Sequence, residues 1–258
     1  MEKIYCITVG NIQTNCWLYA LEDTPEAGDA PGRSAPEHRS ADHQSVPCAI
    51  IDPGDEAALI VSRLRELNWI PRLILLTHGH FDHLAALPDL LLSIGKMFSN
   101  EKTEAFEKGV SGFIALPKTG VHRLDARYLG KDALTHHRAS LEAIGGDPAF
   151  IDAMLPKPLS EPDLVLEEGD IAGPFKVLHV PGHTPGSVCF YDEKNNVLFS
   201  GDTLFRGDCG RTDLPGGDRD QLRQSLKRLL SMKGETIVCP GHGPATTIAH
   251  EHAAAALL

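Results

Sequence analysis

The chain has 258 residues, 42% of them hydrophobic, and a formal net charge of -11 at pH 7. This charge argues against a nucleic-acid partner, because affinity for nucleic acid rests largely on Lys and Arg side chains that neutralise phosphates. No apolar stretch approaches the roughly 20 residues that cross a bilayer, and residues 1 to 9 do not resemble a signal peptide. We therefore expect a cytoplasmic protein with no membrane partner and with six reduced cysteines.

The N-terminal part of the chain predicts strands followed by a helix. The strands are expected at residues 3 to 9, 15 to 21 and 47 to 52. The helix is expected at residues 55 to 68, with Asp55 as its N-cap and an apolar face that starts at Ala57. Between the second and third strands, residues 23 to 46 are rich in proline and glycine and almost free of apolar side chains. Such a segment buries too little surface to offset the entropy of ordering, so we predict a flexible insertion.

Residues 77 to 83 read Thr-His-Gly-His-Phe-Asp-His and directly follow a short apolar run that predicts a strand. Imidazole and carboxylate groups are ligands of zinc, iron and manganese. If a helix starts at Asp82, then His78 and His80 point one way while Asp82 and His83 point another. The spacing therefore predicts ligands for two adjacent metal ions.

The middle of the chain, residues 94 to 163, is harder to interpret. We predict one helix there, at residues 131 to 144. The position of this region, between two groups of candidate ligands, suggests a variable, lid-like segment over a substrate. A surface elaboration without function is an equally good interpretation, because loops carry function but most loop sequence does not.

Three more polar residues lie among glycines just after predicted strands. The later elements are strands at residues 175 to 180, 187 to 191, 196 to 200 and 237 to 239, and a helix at 219 to 232. Glycine lets a backbone turn sharply or approach a ligand closely, so side chains from distant parts of the chain can converge. The predicted metal ligands are His78, His80, Asp82, His83, His183, Asp202 and His242. Because both halves supply ligands, we expect a single domain covering residues 1 to 258.

In this order, the motifs resemble those of metallo-β-lactamase-fold hydrolases, and of the glyoxalase II branch in particular. The matching segments are residues 78 to 83, 182 to 186, 201 to 205 and 241 to 243. The resemblance implies an α/β fold of the αββα type, with two mixed sheets between outer helices. It also implies that His78, His80 and His183 hold one metal ion, that Asp82, His83 and His242 hold the other, and that Asp202 bridges them.

The activity implied is that of a dinuclear metal-dependent hydrolase with two divalent ions, zinc, iron or manganese. Its substrate would be a small-molecule thioester such as a hydroxyacyl-glutathione. Two adjacent ions acidify a water molecule and polarise a carbonyl oxygen. Asp82 is the candidate catalytic residue, because a carboxylate beside that water can orient it and handle its proton.

The candidate substrate-binding residues are two arginines. In glyoxalase II, a basic residue on the loop after the bridging aspartate binds glutathione; Arg211 falls at the matching place, with Arg206 nearby. An ion pair between Arg211 and Asp213 is an equally good interpretation. The family has an aromatic residue where this chain has Asp213, and the sequence ends fifteen residues after Gly243. We therefore expect no helical C-terminal glutathione-binding domain, as in the small single-domain glyoxalase II-like bacterial hydrolases.

Two other functions stay open from the sequence. A persulfide dioxygenase has the same fold and also reads Gly-Arg-Thr-Asp after the bridging aspartate, as residues 210 to 213 do here. It would use a single iron on His78, His183 and Asp202. The other alternative is a metal-binding scaffold without catalysis. The sequence makes no prediction of the oligomeric state.

Overall fold

The computed structural model describes residues 3 to 22, 45 to 107 and 115 to 254. The predicted flexible insertion at residues 23 to 46 lies almost entirely outside the described residues. Its last position, Val46, begins a strand.

The first sheet has six strands, numbered β1 to β6 along both the chain and the sheet. They are β1 (Ile4–Val9), β2 (Thr14–Ala20), β3 (Val46–Ile51), β4 (Trp69–Leu75), β5 (Lys118–His122) and β6 (Leu164–Leu166). The first three are antiparallel neighbours, whereas β3 to β6 pair in parallel. The sheet is therefore mixed, and the carboxyl ends of its parallel strands lie along one edge.

The second sheet is also mixed. It contains β7 (Ile171–Ala172), β8 (Phe175–His179), β9 (Val188–Asp192), β10 (Val197–Gly201), β13 (Ile237–Pro240) and β14 (Thr246–Thr247). Their order is β14-β13-β10-β9-β8-β7, and only the β10–β13 pair is parallel among these strands. A small hairpin of β11 (Leu204–Phe205) and β12 (Asp208–Cys209) follows β10.

Six α-helices cover the sheets in the described part of the chain. They are α1 (Ala57–Leu67), α2 (Leu87–Glu107), α3 (Ala133–Glu142), α4 (Pro148–Met154), α5 (Arg219–Leu230) and α6 (Ile248–Ala254). Measured for length and apolar character, none of the described helices is able to span a membrane.

Side-chain alternation along the strands produces three apolar layers. In β2, Trp17 and Tyr19 pack between the two sheets, while Cys16 and Leu18 face the helices outside the first sheet. Helices α1 to α4 pack on that outer face, and α5 and α6 pack on the outer face of the second sheet. The predicted αββα sandwich is confirmed.

Two local predictions about helices are wrong. Asp55 does not cap α1: the N-cap is Glu56, in a left-handed conformation with φ 51°, and no side chain makes a capping bond. The Asp55 carboxylate accepts instead from the adjacent backbone N–H of Glu56, at 2.6 Å. The helix predicted to start at Asp82 is a short 3₁₀ turn, Phe81–His83, and α2 begins only at Leu87.

The middle region contains more regular structure than the one helix predicted from sequence. Besides α3, it holds the second half of α2, the strand β5 and the helix α4. Strand β5 lies between β4 and β6, so this part of the region belongs to the first sheet. The lid-like interpretation therefore concerns α3 and α4, and for them it stays a prediction.

Candidate metal centre

The seven predicted ligands lie together where several strands end. His78 follows β4, His183 follows β8, Asp202 follows β10 directly and His242 follows β13. In an α/β sandwich, loops at the carboxyl ends of strands meet at one edge, so these side chains converge although up to 164 positions separate them. The structure thus brings all the predicted ligands to one place.

Three imidazoles form the first group. The Nδ1 atom of His80 lies 3.1 Å from His78 Nε2 and 2.9 Å from His183 Nε2. The potential ligand atoms of this group all lie within 4.8 Å of one another. A tetrahedral metal site needs nitrogen donors converging at about this spacing.

The second group consists of Asp82, His83 and His242, which also lie within 4.8 Å of one another. The Oδ2 atom of Asp82 lies 3.5 Å from His83 Nε2 and 3.4 Å from His242 Nε2. Asp202 faces both groups. Its Oδ1 lies 3.4 Å from His83 Nε2, and its Oδ2 lies 3.6 Å from both His183 Nε2 and His242 Nε2.

Hydrogen bonds around the cluster determine which imidazole nitrogen carries the proton. His183 Nδ1 contacts the Arg211 carbonyl oxygen at 2.8 Å, and His242 Nδ1 contacts that of Gln13 at 3.3 Å. A carbonyl oxygen can only accept, so both Nδ1 atoms donate. In the neutral tautomer the Nε2 lone pairs of both rings therefore point into the cluster, as metal ligation requires.

Asp52 and Thr77 likewise fix the proton positions on the rings of His83 and His78. The buried Asp52 carboxylate accepts from Thr77 N and Thr77 Oγ1, both at 2.7 Å, and from His83 Nδ1 at 3.0 Å. Because the single hydroxyl proton of Thr77 goes to Asp52, the Thr77 oxygen accepts from His78 Nδ1 at 3.1 Å. The Nε2 lone pairs of His78 and His83 thus also face inward.

Two glycines allow the cluster to be this compact. A Cβ atom on Gly241 would lie 2.2 Å from Asp202 Oδ1 and 2.7 Å from the His83 ring. One on Gly79 would lie 2.2 Å from the Tyr128 ring. A larger residue at Gly241 would collide with two members of the cluster, and one at Gly79 would force the loop and the Tyr128 ring apart.

The donor set fits divalent metal ions. His83 Nε2 and Asp202 Oδ1 are buried and make no hydrogen bond. Buried polar atoms without partners cost free energy, and native proteins keep few of them unless a ligand satisfies them. The Nε2 lone pairs of His78 and His183 both face His80 Nδ1 at about 3 Å, where one proton can serve only one of them well, whereas a cation can bind all three nitrogens.

The metal-free electrostatics show the same conflict. Burial lowers the pKa of His78 well below its ordinary value and lowers that of His80 to about 3. Burial acts in the same direction on His83, but Asp202 and the other nearby carboxylates raise the pKa of His83 well above its ordinary value. Burial opposes ionisation of Asp202, yet His83 keeps the pKa of that carboxyl below its usual range. A bound cation would balance the charge of the carboxylates without requiring a proton on any of the buried imidazoles.

Asp125 is a buried residue of the site that sequence reasoning did not single out. Its Oδ2 accepts from Gly79 N at 2.8 Å and from Thr184 Oγ1 at 2.7 Å, and its Oδ1 accepts from Gly186 N at 2.9 Å. It therefore ties the loop of His78 and His80 to the turn of His183. Its only sequence signal was a lone carboxylate in the poorly predicted middle region.

Replacing Asp125 by asparagine is expected to lower metal affinity about 10- to 100-fold with the fold retained, the usual effect of losing an outer partner of a metal site. The amide NH₂ would face an N–H donor, so at least one loop would lose its anchor. Competition with a chromophoric chelator measures the affinity. Asp163→Asn is the matched control, because Asp163 accepts from a backbone N–H, that of Thr119, away from the cluster. Equal affinities in the two variants would contradict this role.

The two candidate substrate-binding residues differ in their position relative to the cluster. Arg211 is exposed at the rim of the cluster, where its Nε and a terminal nitrogen donate to the two carboxylate oxygens of Asp213, both at 2.7 Å. Arg206 is exposed on the turn between β11 and β12. It does not line the cavity beside the cluster, whereas Arg211 does. A substrate role for either stays a prediction.

Comparisons with known proteins agree with this geometry. A sequence profile of the Metallo-beta-lactamase superfamily matches residues 47–242. The hydroxyacylglutathione hydrolase GloC of Haemophilus influenzae is 36% identical over 210 residues, 79% of this chain and 83% of that protein. The probable metallo-hydrolase YqgX of Bacillus subtilis is 34% identical over 208 residues, again 79% of this chain and 83% of that protein.

A solved structure extends the likeness to the whole fold. It is described as TTHA1623 in a di-iron-bound form, has a TM-score of 0.65 and 33% identity, and is matched over 96% of both chains. The profile match spans well over half of this chain, and the cluster of histidines and aspartates lies where the strands of the shared fold end. The chain belongs to the metallo-beta-lactamase superfamily of metal-binding, hydrolase-type enzymes.

Proposed function

We propose that this chain is a dinuclear metal-dependent hydrolase that cleaves small-molecule thioesters of the hydroxyacylglutathione type. The observation that carries the proposal is the placement of Asp202, whose two carboxylate oxygens face His83 on one side and His183 and His242 on the other. A carboxylate so placed can join two cations. The thioester part is supported by the relative GloC, described as a hydroxyacylglutathione hydrolase. Residence in the cytoplasm stays a prediction.

Among the described residues, two of the three groups of ligand atoms that lie within 4.8 Å of one another would correspond to two ion sites, and the third, His78, His83 and Asp202, spans both. His78, His80 and His183 would hold one ion, Asp82, His83 and His242 would hold the other, and Asp202 would contact both. Zinc, iron and manganese all suit nitrogen and carboxylate ligands. When bound, such a pair of ions lowers the pKa of a water molecule and polarises a substrate carbonyl.

Asp82 is the residue we assign to proton handling. Its Oδ2 accepts from Thr14 Oγ1 at 3.2 Å, which orients the carboxylate, and its side chain lines the cavity beside the cluster. Burial opposes its ionisation, but the neighbouring His83 and His242 keep the pKa of Asp82 below its usual range. It is therefore ionised at neutral pH and can accept a proton from an attacking water. A thiolate leaving group needs little protonation, so the reaction requires no separate general acid.

The protein isolated under mild conditions is expected to contain about two metal ions per chain, because seven ligands are enough for two sites with open positions. Elemental analysis measures this number. His183→Ala should reduce it, since a ligand of the first group is lost, whereas His250→Ala should not, since His250 is exposed on α6.

Activity assays on the same samples distinguish the three functions. Two ions together with hydrolysis of lactoylglutathione support the proposal. One iron per chain with oxygen uptake on glutathione persulfide would instead identify a mononuclear iron persulfide dioxygenase. Bound metal without either activity would leave only the metal-binding scaffold.

A further inference from the structure

A cavity of about 550 Å³ opens directly onto the cluster. One side is formed by the predicted ligands His80, Asp82, His183, Asp202 and His242. Its volume is within the range of small-molecule sites, about 300 to 1,000 Å³. A substrate with its reacting carbonyl at the cluster would therefore place a neighbouring group in this cavity.

The lining residues other than the predicted ligands are mainly hydrocarbon. We call this surface the apolar wall and define it by Ile12, Leu141, Ile144, Ile151, Leu214 and Pro215. Ile12 is 43% exposed and Ile144 is 45% exposed, so both leave apolar surface in contact with solvent in the unliganded cavity. Covering such side chains with an apolar ligand group would be favourable.

Most of the polar side chains that interrupt this wall are already engaged with protein partners. The Tyr128 hydroxyl contacts Ser140 Oγ at 3.1 Å, and His137 Nε2 donates to the Tyr128 carbonyl oxygen at 3.1 Å. The hydroxyl pair has only one O–H proton left for a ligand, and His137 Nε2 could serve a ligand only by giving up its present bond. The wall therefore offers little gain to a polar substrate.

The cavity also lacks a free cation in its described lining. Among the described lining residues Arg211 is the only Lys or Arg, and Asp213 already occupies its Nε and a terminal nitrogen. The other terminal nitrogen of Arg211 can still donate to a substrate, but the Asp213 carboxylate already offsets the positive charge that an anionic group would meet there. Anionic groups such as the two carboxylates of glutathione therefore gain little here.

We propose that the apolar wall determines substrate specificity: it binds an uncharged aliphatic or aromatic group next to the reacting carbonyl. This rests on the thioesterase function proposed above and narrows it to thioesters with a hydrocarbon portion. The glutathione moiety would contribute little to binding. Ile144 and Ile12, the two exposed members of the wall, are the specificity-determining residues.

Binding of unreactive thioethers tests the wall separately from catalysis. The probes are the S-methyl, S-butyl and S-hexyl thioethers of N-acetylcysteamine, which is uncharged, and of glutathione, titrated calorimetrically into metal-loaded protein. Affinity is expected to rise about three- to fourfold per methylene in both series. At equal alkyl length, the glutathione compound should bind within about threefold of its N-acetylcysteamine counterpart.

Two isoleucine variants locate the effect. Ile144→Ser should weaken binding of the S-hexyl probes about five- to tenfold, because less apolar area is covered. Ile171→Ser is the matched control, since Ile171 is 69% exposed on β7 and does not line the cavity, and it should change nothing. Both side chains are exposed enough for the variants to fold normally.

The outcomes separate the wall from the reaction. Affinity independent of alkyl length, no effect of Ile144→Ser, or glutathione compounds that bind more than about tenfold tighter would each overturn the proposed wall. If the S-hexyl probes bind as expected but no acyl thioester is hydrolysed, the thioesterase function is wrong and the apolar binding site remains. Hydrolysis of acyl thioesters without any preference for alkyl length would support the thioesterase function and show that the proposed role of the apolar wall is wrong.

Discussion

Replacing Asp202 by asparagine is expected to leave the chain folded while lowering metal affinity and turnover by more than about 100-fold. Loss of an outer partner of a metal site already costs about 10- to 100-fold, and Asp202 is a candidate ligand of both ions. The amide keeps the size of the side chain but removes the negative charge between His83 and His183. Metal content, thioester turnover and circular dichroism of the variant check the three parts of this expectation.

Asp208→Asn provides the control for Asp202→Asn. Asp208 is an exposed aspartate in the β11–β12 hairpin, only six positions away, and its carboxylate accepts from the backbone N–H of Cys209. This variant should keep both metal and activity. An Asp202→Asn protein that holds two ions and turns over normally would show that the dinuclear mechanism is wrong.

Removing the metal is expected to abolish turnover and to lower stability. With free metal at about a thousand times its dissociation constant, binding stabilises the folded state by about 4 kcal/mol. For a domain of this size that corresponds to a melting temperature about 8 to 16 °C higher than that of the metal-free protein. Thermal unfolding with chelator and with added zinc measures the difference. Equal melting temperatures would mean that the cluster binds no metal in the folded state.

The stability of the metal-free protein should also depend on pH in a defined way. The pKa values of His78 and His80 are lowered by burial, so the unfolded chain binds more protons and stability rises with pH up to about 6.5, the ordinary pKa of histidine. Burial also lowers the pKa of His83 and His242, but nearby carboxylates outweigh it and raise both. The stabilisation of the folded state by protonated His83 and His242 is fully present below about pH 6.5 and is lost as the pH rises through their raised pKa values.

A stability maximum near pH 6.5 is therefore expected for the metal-free protein, from the site histidines. The metal-loaded protein should become more stable than the metal-free protein as pH rises, because protons and metal ions compete for the same nitrogen atoms. Denaturant unfolding of both forms between pH 5 and 8 tests this. A metal-free protein whose stability keeps rising above pH 7 would contradict the raised pKa of His83.

The identity of the ligands and the class of the fold were predictable from the sequence. Imidazole and carboxylate groups at metal-ligand spacing are chemically specific, and each lies after an apolar run that forms a strand by local alternation. The strands that carry His78, His183, Asp202 and His242 are therefore found where they were predicted. The helix predicted at residues 219 to 232 is α5, which buries Leu222, Leu226, Leu229 and Leu230.

Elements with weak local sequence patterns were missed, because the predictions depended on such patterns. Strand β5 has only five residues, begins with Lys118 and contains Gly120, so nothing local distinguishes it from a loop. Its place between β4 and β6 depends on parallel pairing over long sequence separations. The prediction of Asp55 as the N-cap of α1 was wrong because the left-handed conformation of Glu56 takes the Asp55 carboxylate away from the first turn of the helix.

The sequence by itself determined which side chains are available for metal chemistry, because that follows from residue type and from local strand patterns. Only the tertiary structure decided how they are held. Asp52 reaches Thr77 across 25 positions, and Asp125 reaches Gly79 across 46 and Gly186 across 61. The packing of α3 and α4 beside the cluster likewise decided that the cavity has an apolar wall. These contacts depend on the packing of distant segments, which no local pattern of residues encodes.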